Sequence, residues 1–251
     1  MKQKISKFKE KILDLIFPKN IKCMFCMGEL NQNSYNATCE DCLEILPFIK
    51  NPCERCGSPM NENQTGVCLR CKSTNFYFMQ AKSVFEYENL PLKVVHNLKY
   101  NGRKYLTEYM VRYMLDIYST WNVFADFITC VPMFELKEKE RGYNQARLLA
   151  EEFSLKTKVP FHEFCVKAVD TLSQTELNTE QRINNVEDSF AFKPEYKKLI
   201  KGKTILIIDD VLTTGATTSE IAKVLVNAGA KECYVLTFAH TKLKQINIEE
   251  N

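Results

Sequence analysis

The sequence predicts an α/β fold: a mainly parallel, doubly wound sheet with helices on both faces, following a small cysteine-rich module. Two observations carry this expectation. From about Ser83 onward, short β-branched runs alternate with segments whose apolar residues recur at three- and four-residue spacing, the pattern of strands feeding helices. Ahead of that, eight of the eleven cysteines fall into four Cys-x-x-Cys pairs, in a stretch poor in long apolar periodicity.

The elements follow in chain order. Residues 1–18 predict a basic amphipathic helix, with Ile5, Phe8, Ile12, Leu15 and Ile16 at helical spacing and Pro18 as its stop. Lys7, Lys9, Glu10, Lys11 and Asp14 interrupt this stretch, so it does not read as the apolar core of a secretory signal. Residues 19–75 form the cysteine module and residues 83–251 the main domain. Two helices are expected over 90–100 and 103–121, separated by a turn at Asn101-Gly102. A buried strand over 127–131 runs into Pro132, a helix covers 142–156, and a second strand covers 161–169. Residues 170–188 are polar, lack periodicity and exceed an ordinary connector, which suits a mobile functional loop. A fully apolar strand over 204–208, a helix over 218–227 ending at Gly229, and a strand over 233–238 complete the domain.

Composition narrows the function classes. A hydrophobic fraction of 45% is enough to bury a sizeable core. No apolar run reaches the roughly eighteen residues that a membrane-spanning helix needs, and a cytoplasmic protein is expected. The formal charge of +3 is uneven. Seven Lys against Glu10 and Asp14 give residues 1–22 a net +5, whereas residues 23–71 carry a net −3 before any thiolate is counted. Affinity for nucleic acid would therefore come from the N-terminal helix or the main domain, not from the cysteine module.

Cys23 and Cys26 are followed by Cys39 and Cys42, and Cys53 and Cys56 by Cys68 and Cys71, with spacers of near-equal length. In a reducing compartment this tandem pattern indicates metal: each unit supplies four thiolates, the set for a tetrahedral structural zinc. Iron also fits such a donor set. The pairs can be used sequentially or cross-braced, sequential pairing being favoured because each spacer makes a short hairpin. Gly57, directly after Cys56, is read as leaving room for amides that approach the sulfur. Zinc here holds together a module with little core, supplying roughly 10–16 kcal/mol of folding energy. With all four ligands from protein, a catalytic water has no place on the ion. Cys130, Cys165 and Cys233 lie in apolar stretches and are read as core residues.

The segment 205–217 reads Ile-Leu-Ile-Ile-Asp-Asp-Val-Leu-Thr-Thr-Gly-Ala-Thr. An apolar strand ends at two adjacent carboxylates and a Thr/Gly turn opens the next helix. Thr213, Thr214, Gly215, Ala216 and Thr217 can aim backbone N–H groups and hydroxyls at one phosphate beside a helix N-terminus. Asp209 and Asp210 are placed to bind a ribose diol or a hydrated Mg²⁺. A receiver-type domain also ends a strand in Asp-Asp, but would not carry Thr-Thr-Gly-Ala-Thr next.

These thirteen positions resemble the 5-phosphoribosyl-1-pyrophosphate motif of type I phosphoribosyltransferases, without departure from the pattern. Together with Arg141-Gly142-Tyr143-Asn144-Gln145, Leu98-Lys99-Tyr100-Asn101-Gly102, residues 174–177 with Arg182 and Asn185, and the tandem cysteine pairs, the chain resembles the ComF family over nearly its whole length. The resemblance implies a type I phosphoribosyltransferase-like fold behind a double zinc ribbon with four cysteines to each ion, and a role in DNA uptake during natural transformation. It implies 5-phosphoribosyl-1-pyrophosphate as ligand, with Mg²⁺. Pro132, in Val131-Pro132-Met133, would belong to the pyrophosphate loop, Arg141 would add positive charge there, and Lys99 would reach the site from the preceding helix. Residues 171–188 would be the loop that closes over the site, with Arg182 as its charge-stabilising residue beside Asp209 and Asp210. No nucleobase pocket is identifiable. Three activities are consistent with these features: phosphoribosyl transfer to an unknown acceptor, binding of the sugar phosphate or of single-stranded DNA, and scaffolding of a competence helicase-type partner. Phe76, Tyr77 and Phe78 are candidate stacking residues for a single strand, though such a cluster more often belongs to a core.

Overall fold

The computed structural model describes residues 21–31, 34–167 and 189–242. The expected helix over 1–18, the loop over 171–188 with Arg182, and residues 243–251 lie outside them. The chain divides into two compact units between Leu46 and Pro47.

The first unit holds one cysteine turn and one short helix. The Cys23 amide donates to Gly28 O at 2.8 Å and the Met27 amide to Cys23 O at 2.9 Å, closing a tight turn around the first pair. Cys39 is the N-cap of helix α1 (Glu40–Ile45), which places Cys42 on its first turn.

The second unit opens with the same construction. The Cys53 amide donates to Ser58 O at 2.8 Å, the Gly57 amide to Cys53 O at 2.9 Å, and Cys68 caps helix α2 (Leu69–Ser73). The sequence repeat is thus a structural repeat. Met27 and Gly57 occupy matching positions, with φ of 65° and 70°. The reason for the glycine differs from the expected one: a Cβ on Gly57 would stand 2.6 Å from the Ala81 carbonyl oxygen. It is the approach of a strand, not access to the sulfur, that excludes a side chain there.

That strand, β1 (Gln80–Glu86), leads to α3 (Asn89–Tyr100), α4 (Leu106–Ser119), β2 (Phe127–Cys130), α5 (Glu135–Arg141), α6 (Gln145–Thr157), β3 (Cys165–Lys167), β4 (Phe190–Phe192) and α7 (Lys197–Ile200). Strand β5 (Thr204–Leu212), helix α8 (Ala216–Ala228) and strand β6 (Glu232–His240) follow. The main sheet has the order β1-β6-β5-β2, every neighbouring pair parallel. The sequence pattern does not announce β1, whose Lys82 and Ser83 interrupt its apolar residues. It is an edge strand, and its outer side is covered by an antiparallel bridge between Phe48 and Phe85, with the Ile49 amide donating to Val84 O.

Of the strand expected over 161–169, the described residues 161–167 do not form a strand of this sheet. Only Phe161 bridges to Ile128; the chain then turns away, and β3 pairs antiparallel with β4 in a separate two-stranded sheet. The cause is aromatic packing. Phe164 is fully buried against Phe127, His162 and Tyr196, with ring centroids 5.2–5.8 Å apart, and this cluster draws the backbone off the sheet edge.

Helices α4 and α6 pack on the main sheet, α4 against β1 and β6 and α6 against β2 and β5. A second buried cluster joins Ile205, Ile207, Cys233 and Val235 to α8 and to Phe76, Phe78, Cys53 and Cys56 of the second cysteine unit. Cys130, Cys165 and Cys233 are all buried, and burial pushes the thiols of Cys165 and Cys233 up to about 12, as core residues require. No helix of the described residues is long and apolar enough to cross a membrane.

Candidate functional site

The carboxyl ends of β5 and β2 open onto a cleft of about 780 Å³. Strand β5 runs four residues further than the sequence suggests, so Asp209 and Asp210 lie within it, not beyond it. Side chains alternate along a strand, and adjacent carboxylates therefore point to opposite faces. Asp209 follows Ile205 and Ile207 toward the α8 face, and Asp210 follows Leu206 and Ile208 toward α3 and α6.

The surroundings of the two carboxylates accordingly shift their ionisation in opposite directions. Lys99, one residue from the end of α3, places its Nζ 2.6 Å from Asp210 Oδ2, in a pair whose side chains are 22% and 3% exposed. Burial opposes the ionisation of Asp210, but the Lys99 ammonium outweighs it and holds that carboxyl below its ordinary range. Burial likewise works against the Lys99 cation, and the Asp210 carboxylate more than reverses it, raising the lysine. Asp209 has no such ion pair among the described residues. Burial first, and then the charge of Asp210, push it well above the usual carboxylate range.

The turn after β5 leads into α8 through a glycine cap. Gly215 caps α8 with φ 75°, and its carbonyl accepts from the Ser219 amide at 2.8 Å and from Thr218 Oγ1 at 3.1 Å. Thr213, Gly215 and Thr217 line the cleft. Thr214 does not: it is buried, and its hydroxyl accepts from the Ala216 amide at 3.3 Å, shaping the turn from behind. Ala216 also lies outside the lining.

Across the cleft, Pro132 and Arg141 line the opposite wall. The segment 141–145 accounts for their placement residue by residue. Arg141 ends α5, with Gly142 taking the left-handed conformation just beyond it. Its guanidinium lies 5.3 Å from the Tyr100 ring centre and donates to Gln145 Oε1 at 2.6 Å. The Tyr143 hydroxyl donates to the Leu98 carbonyl, which ties the lysine-bearing turn of α3 to this wall. Asn144 is buried; its Oδ1 accepts from the Ala146 and Arg147 amides as the N-cap of α6, while its Nδ2 donates to Val131 O at 3.0 Å. One side chain thus fixes both the helix and the loop carrying Pro132. Arg147 braces α5 from outside, donating to Glu138 at 2.8 Å and to Glu163 at 2.7 Å. Tyr100, of the motif over 98–102, and Tyr87, which sequence reasoning did not single out, also line the cleft. Only its approach through β1 marks Tyr87.

Of the expected site residues, Asp209, Asp210, Thr213, Gly215, Thr217, Pro132, Arg141 and Lys99 meet at one cleft, while Arg182 lies outside the described residues. Phe76 and Phe78 are buried and stacked at 4.7 Å, so they are core residues rather than a stacking platform; Tyr77 is exposed.

The eight cysteines form two tetrads, Cys23, Cys26, Cys39 and Cys42, and Cys53, Cys56, Cys68 and Cys71, with all four sulfurs of each within 4.8 Å of one another. Pairing is sequential, not cross-braced. Tetrahedral Zn–S bonds of about 2.3 Å require sulfurs about 3.8 Å apart. The Cys26–Cys39, Cys53–Cys71 and Cys56–Cys68 sulfurs are each 3.7 Å apart, close to that spacing.

Comparison with known proteins agrees with both halves. The double zinc ribbon domain family matches residues 12–72, and the phosphoribosyl transferase domain family matches residues 140–249. Competence protein F of Haemophilus influenzae is 26% identical over 227 residues, covering 86% of this chain and 95% of the relative. The DNA utilization protein YhgH of Escherichia coli is 26% identical over 87% of this chain and 96% of its own. Competence protein ComFC of Bacillus subtilis is 25% identical over 82% of this chain and 89% of its own. With two four-cysteine clusters ahead of a parallel sheet and an intact Asp-Asp turn, the chain carries a double zinc ribbon followed by a phosphoribosyltransferase domain, and over most of its length it is similar to competence proteins F and ComFC.

Proposed function

We propose that this protein binds 5-phosphoribosyl-1-pyrophosphate with Mg²⁺ at the cleft and transfers its phosphoribosyl group to an acceptor during DNA uptake. The observation that carries the reading is the convergence of the Asp209–Asp210 pair, the Gly215 turn and the opposed Arg141 at one cleft. In this reading the 5-phosphate sits on the turn at the N-terminus of α8, against the hydroxyls of Thr213 and Thr217 and the backbone at Gly215. The carboxylates hold the ribose hydroxyls and, when it is bound, Mg²⁺, which neutralises charge on the pyrophosphate. Arg141 faces the pyrophosphate oxygens, and its contacts with Tyr100 and Gln145 keep its fork oriented. As the C1–oxygen bond breaks, the electron pair leaves with pyrophosphate and the acceptor's lone pair forms the new bond to C1. Ionised Asp210 is suited to stabilise the positive charge that develops on the ribose ring. Arg182 and residues 171–188 would close over the site.

Titration of the zinc-loaded protein with 5-phosphoribosyl-1-pyrophosphate and Mg²⁺ in a calorimeter tests the first half of this proposal. Saturable heat that an Asp209→Asn/Asp210→Asn variant loses is the expected result. No heat from the folded wild type would sink the reading. Transfer is tested separately by release of pyrophosphate on adding candidate acceptors, single-stranded DNA among them.

The names of the relatives, which speak of competence and DNA utilization, favour a second reading. Here the chain binds single-stranded DNA or docks a helicase-type partner, and the fold is retained without turnover. Affinity for DNA that falls steeply with salt, together with absence of pyrophosphate release, would select it.

A further inference from the structure

We propose that the second zinc ribbon acts as a strut for the phosphate-binding turn, through Phe76, and that zinc at Cys53, Cys56, Cys68 and Cys71 therefore sets how firmly residues 213–219 are held. The inference rests on the reading of that turn as the phosphate site. The atoms nearest the back of the turn belong to aromatic rings from the ribbon's exit segment. A Cβ placed on Gly215 would stand 3.2 Å from Phe76 Cε1 and 3.6 Å from the Phe78 ring. The two rings stack at 4.7 Å with planes 15° apart. Between them, the Tyr77 amide donates to Ser219 Oγ at 3.1 Å, and the Ser219 amide donates to Gly215 O at 2.8 Å. The exit segment is thus bonded to the first turn of α8 and wedged against its cap.

The ribbon holds that segment from its other side. Arg55, between Cys53 and Cys56, donates from Nη2 to Phe76 O at 2.9 Å, and its own carbonyl accepts from the Ala81 amide at 2.7 Å. Arg70, between Cys68 and Cys71, lies with its guanidinium carbon 5.2 Å from the Phe76 ring centre. Its three guanidinium nitrogens are buried without a hydrogen-bond partner among the described residues. A buried unpaired cation is costly, and four thiolates around one Zn²⁺ leave a net charge of about −2 beside it. Zinc loading thus supplies the counter-charge that keeps Arg70 on the ring. At the position matching Arg70 the first ribbon carries Asp41, which is exposed.

Because zinc and phosphate would bias one element, their effects should be reciprocal. Amide hydrogen exchange reads the strut without any ligand. In the full chain, Cys68→Ser/Cys71→Ser should speed exchange at residues 213–219 by about tenfold or more, while Cys39→Ser/Cys42→Ser should leave it within about twofold. Phe76→Leu, which retains both zinc ions, should loosen the same amides by several-fold. If the second-ribbon variant loses protection throughout β5 and β6 as well, Phe76→Leu alone decides. Unchanged exchange at 213–219 in Phe76→Leu, or equal loosening by the first-ribbon variant, overturns the proposal. In wild type, 5-phosphoribosyl-1-pyrophosphate with Mg²⁺ should slow zinc loss to a chelator from the second ribbon only. Should the exchange pattern hold while the sugar phosphate fails to bind, it is the assignment of the ligand that fails, not the strut.

Discussion

A Lys99→Met substitution removes the ammonium 2.6 Å from Asp210 Oδ2 and keeps most of the apolar stem. Solvent cannot take its place, since the Asp210 side chain is 3% exposed. At an effective dielectric near 20, two charges that close attract by about 6 kcal/mol, and both ions were desolvated to reach that distance. Removing one of them leaves the desolvation of the other unreturned, a loss of about 3–5 kcal/mol. Asp210→Asn strands the lysine in the same way. The double variant strands nothing, so its cost should fall short of the summed single costs by about 2 kcal/mol or more. Urea unfolding of the four zinc-loaded proteins at pH 7, followed by circular dichroism, measures the cycle. Costs that add within about 0.5 kcal/mol would refute the reasoning. The pH dependence follows from the two shifts. The lowered Asp210 contributes above its unfolded value of about 3.9 and loses that contribution as pH falls through its folded value. The raised Lys99 contributes below its unfolded value of about 10.4 and loses it as pH rises through its folded value. Between these limits the wild-type pair contributes equally at pH 6 and pH 8, whereas in Lys99→Met burial without the cation pushes Asp210 upward, so the cost of the substitution should be larger at pH 8 than at pH 6.

Asp209 should behave in the opposite sense. Its folded pKa is raised, so the folded state gives up its proton reluctantly and stability falls as pH rises from the unfolded value toward the folded one. Asp209→Asn should therefore melt at a higher temperature than wild type at pH 8, by a margin that shrinks at pH 6, while binding of the sugar phosphate is lost. Gly215→Ala places a Cβ at φ 75° and 3.2 Å from Phe76; the left-handed conformation alone costs roughly 1–2 kcal/mol, which should lower the melting temperature by about 3–8 °C in a thermal scan. Asn144→Ala removes the cap of α6 and the bond to Val131 O. The cap accounts for about 1 kcal/mol by urea unfolding, and affinity for pyrophosphate should fall further than that stability loss alone explains.

Much of the site is local and was legible for that reason. A strand, two carboxylates and a Thr/Gly turn occupy thirteen consecutive residues, and each cysteine tetrad spans about twenty. What the sequence did not disclose is long-range. The placement of Lys99 on the inner face of α3 could be guessed from spacing, but its pairing with Asp210 joins residues far apart in the chain. The dual role of Asn144 depends on a loop carbonyl thirteen residues earlier. The departure of residues 161–167 from the sheet was hidden because an apolar run reads alike in a sheet edge and in an aromatic cluster. Gly57 was noticed for its position beside a cysteine, whereas the demand on it comes from Ala81, a contact that only folding creates.

The alternation of Asp209 and Asp210 across β5 has a consequence at the opposite end of the strand. A slip of one residue in the pairing of β5 would turn Asp209 toward Lys99's side and Asp210 toward α8, so the ammonium that favours ionisation would act on the other acid. The chemistry of the cleft is therefore set by registry, and registry is anchored where β5 begins. There the Thr204 amide donates to Asp126 Oδ2 at 2.9 Å, Lys203 pairs with the same carboxylate at 2.9 Å, and Thr204 Oγ1 donates to Glu232 at 3.1 Å. Thr204 stands roughly 17–20 Å along the strand from the carboxylates, at about 3.3 Å per residue. A partly exposed aspartate that touches no ligand thereby helps to decide which of two neighbouring acids carries the charge.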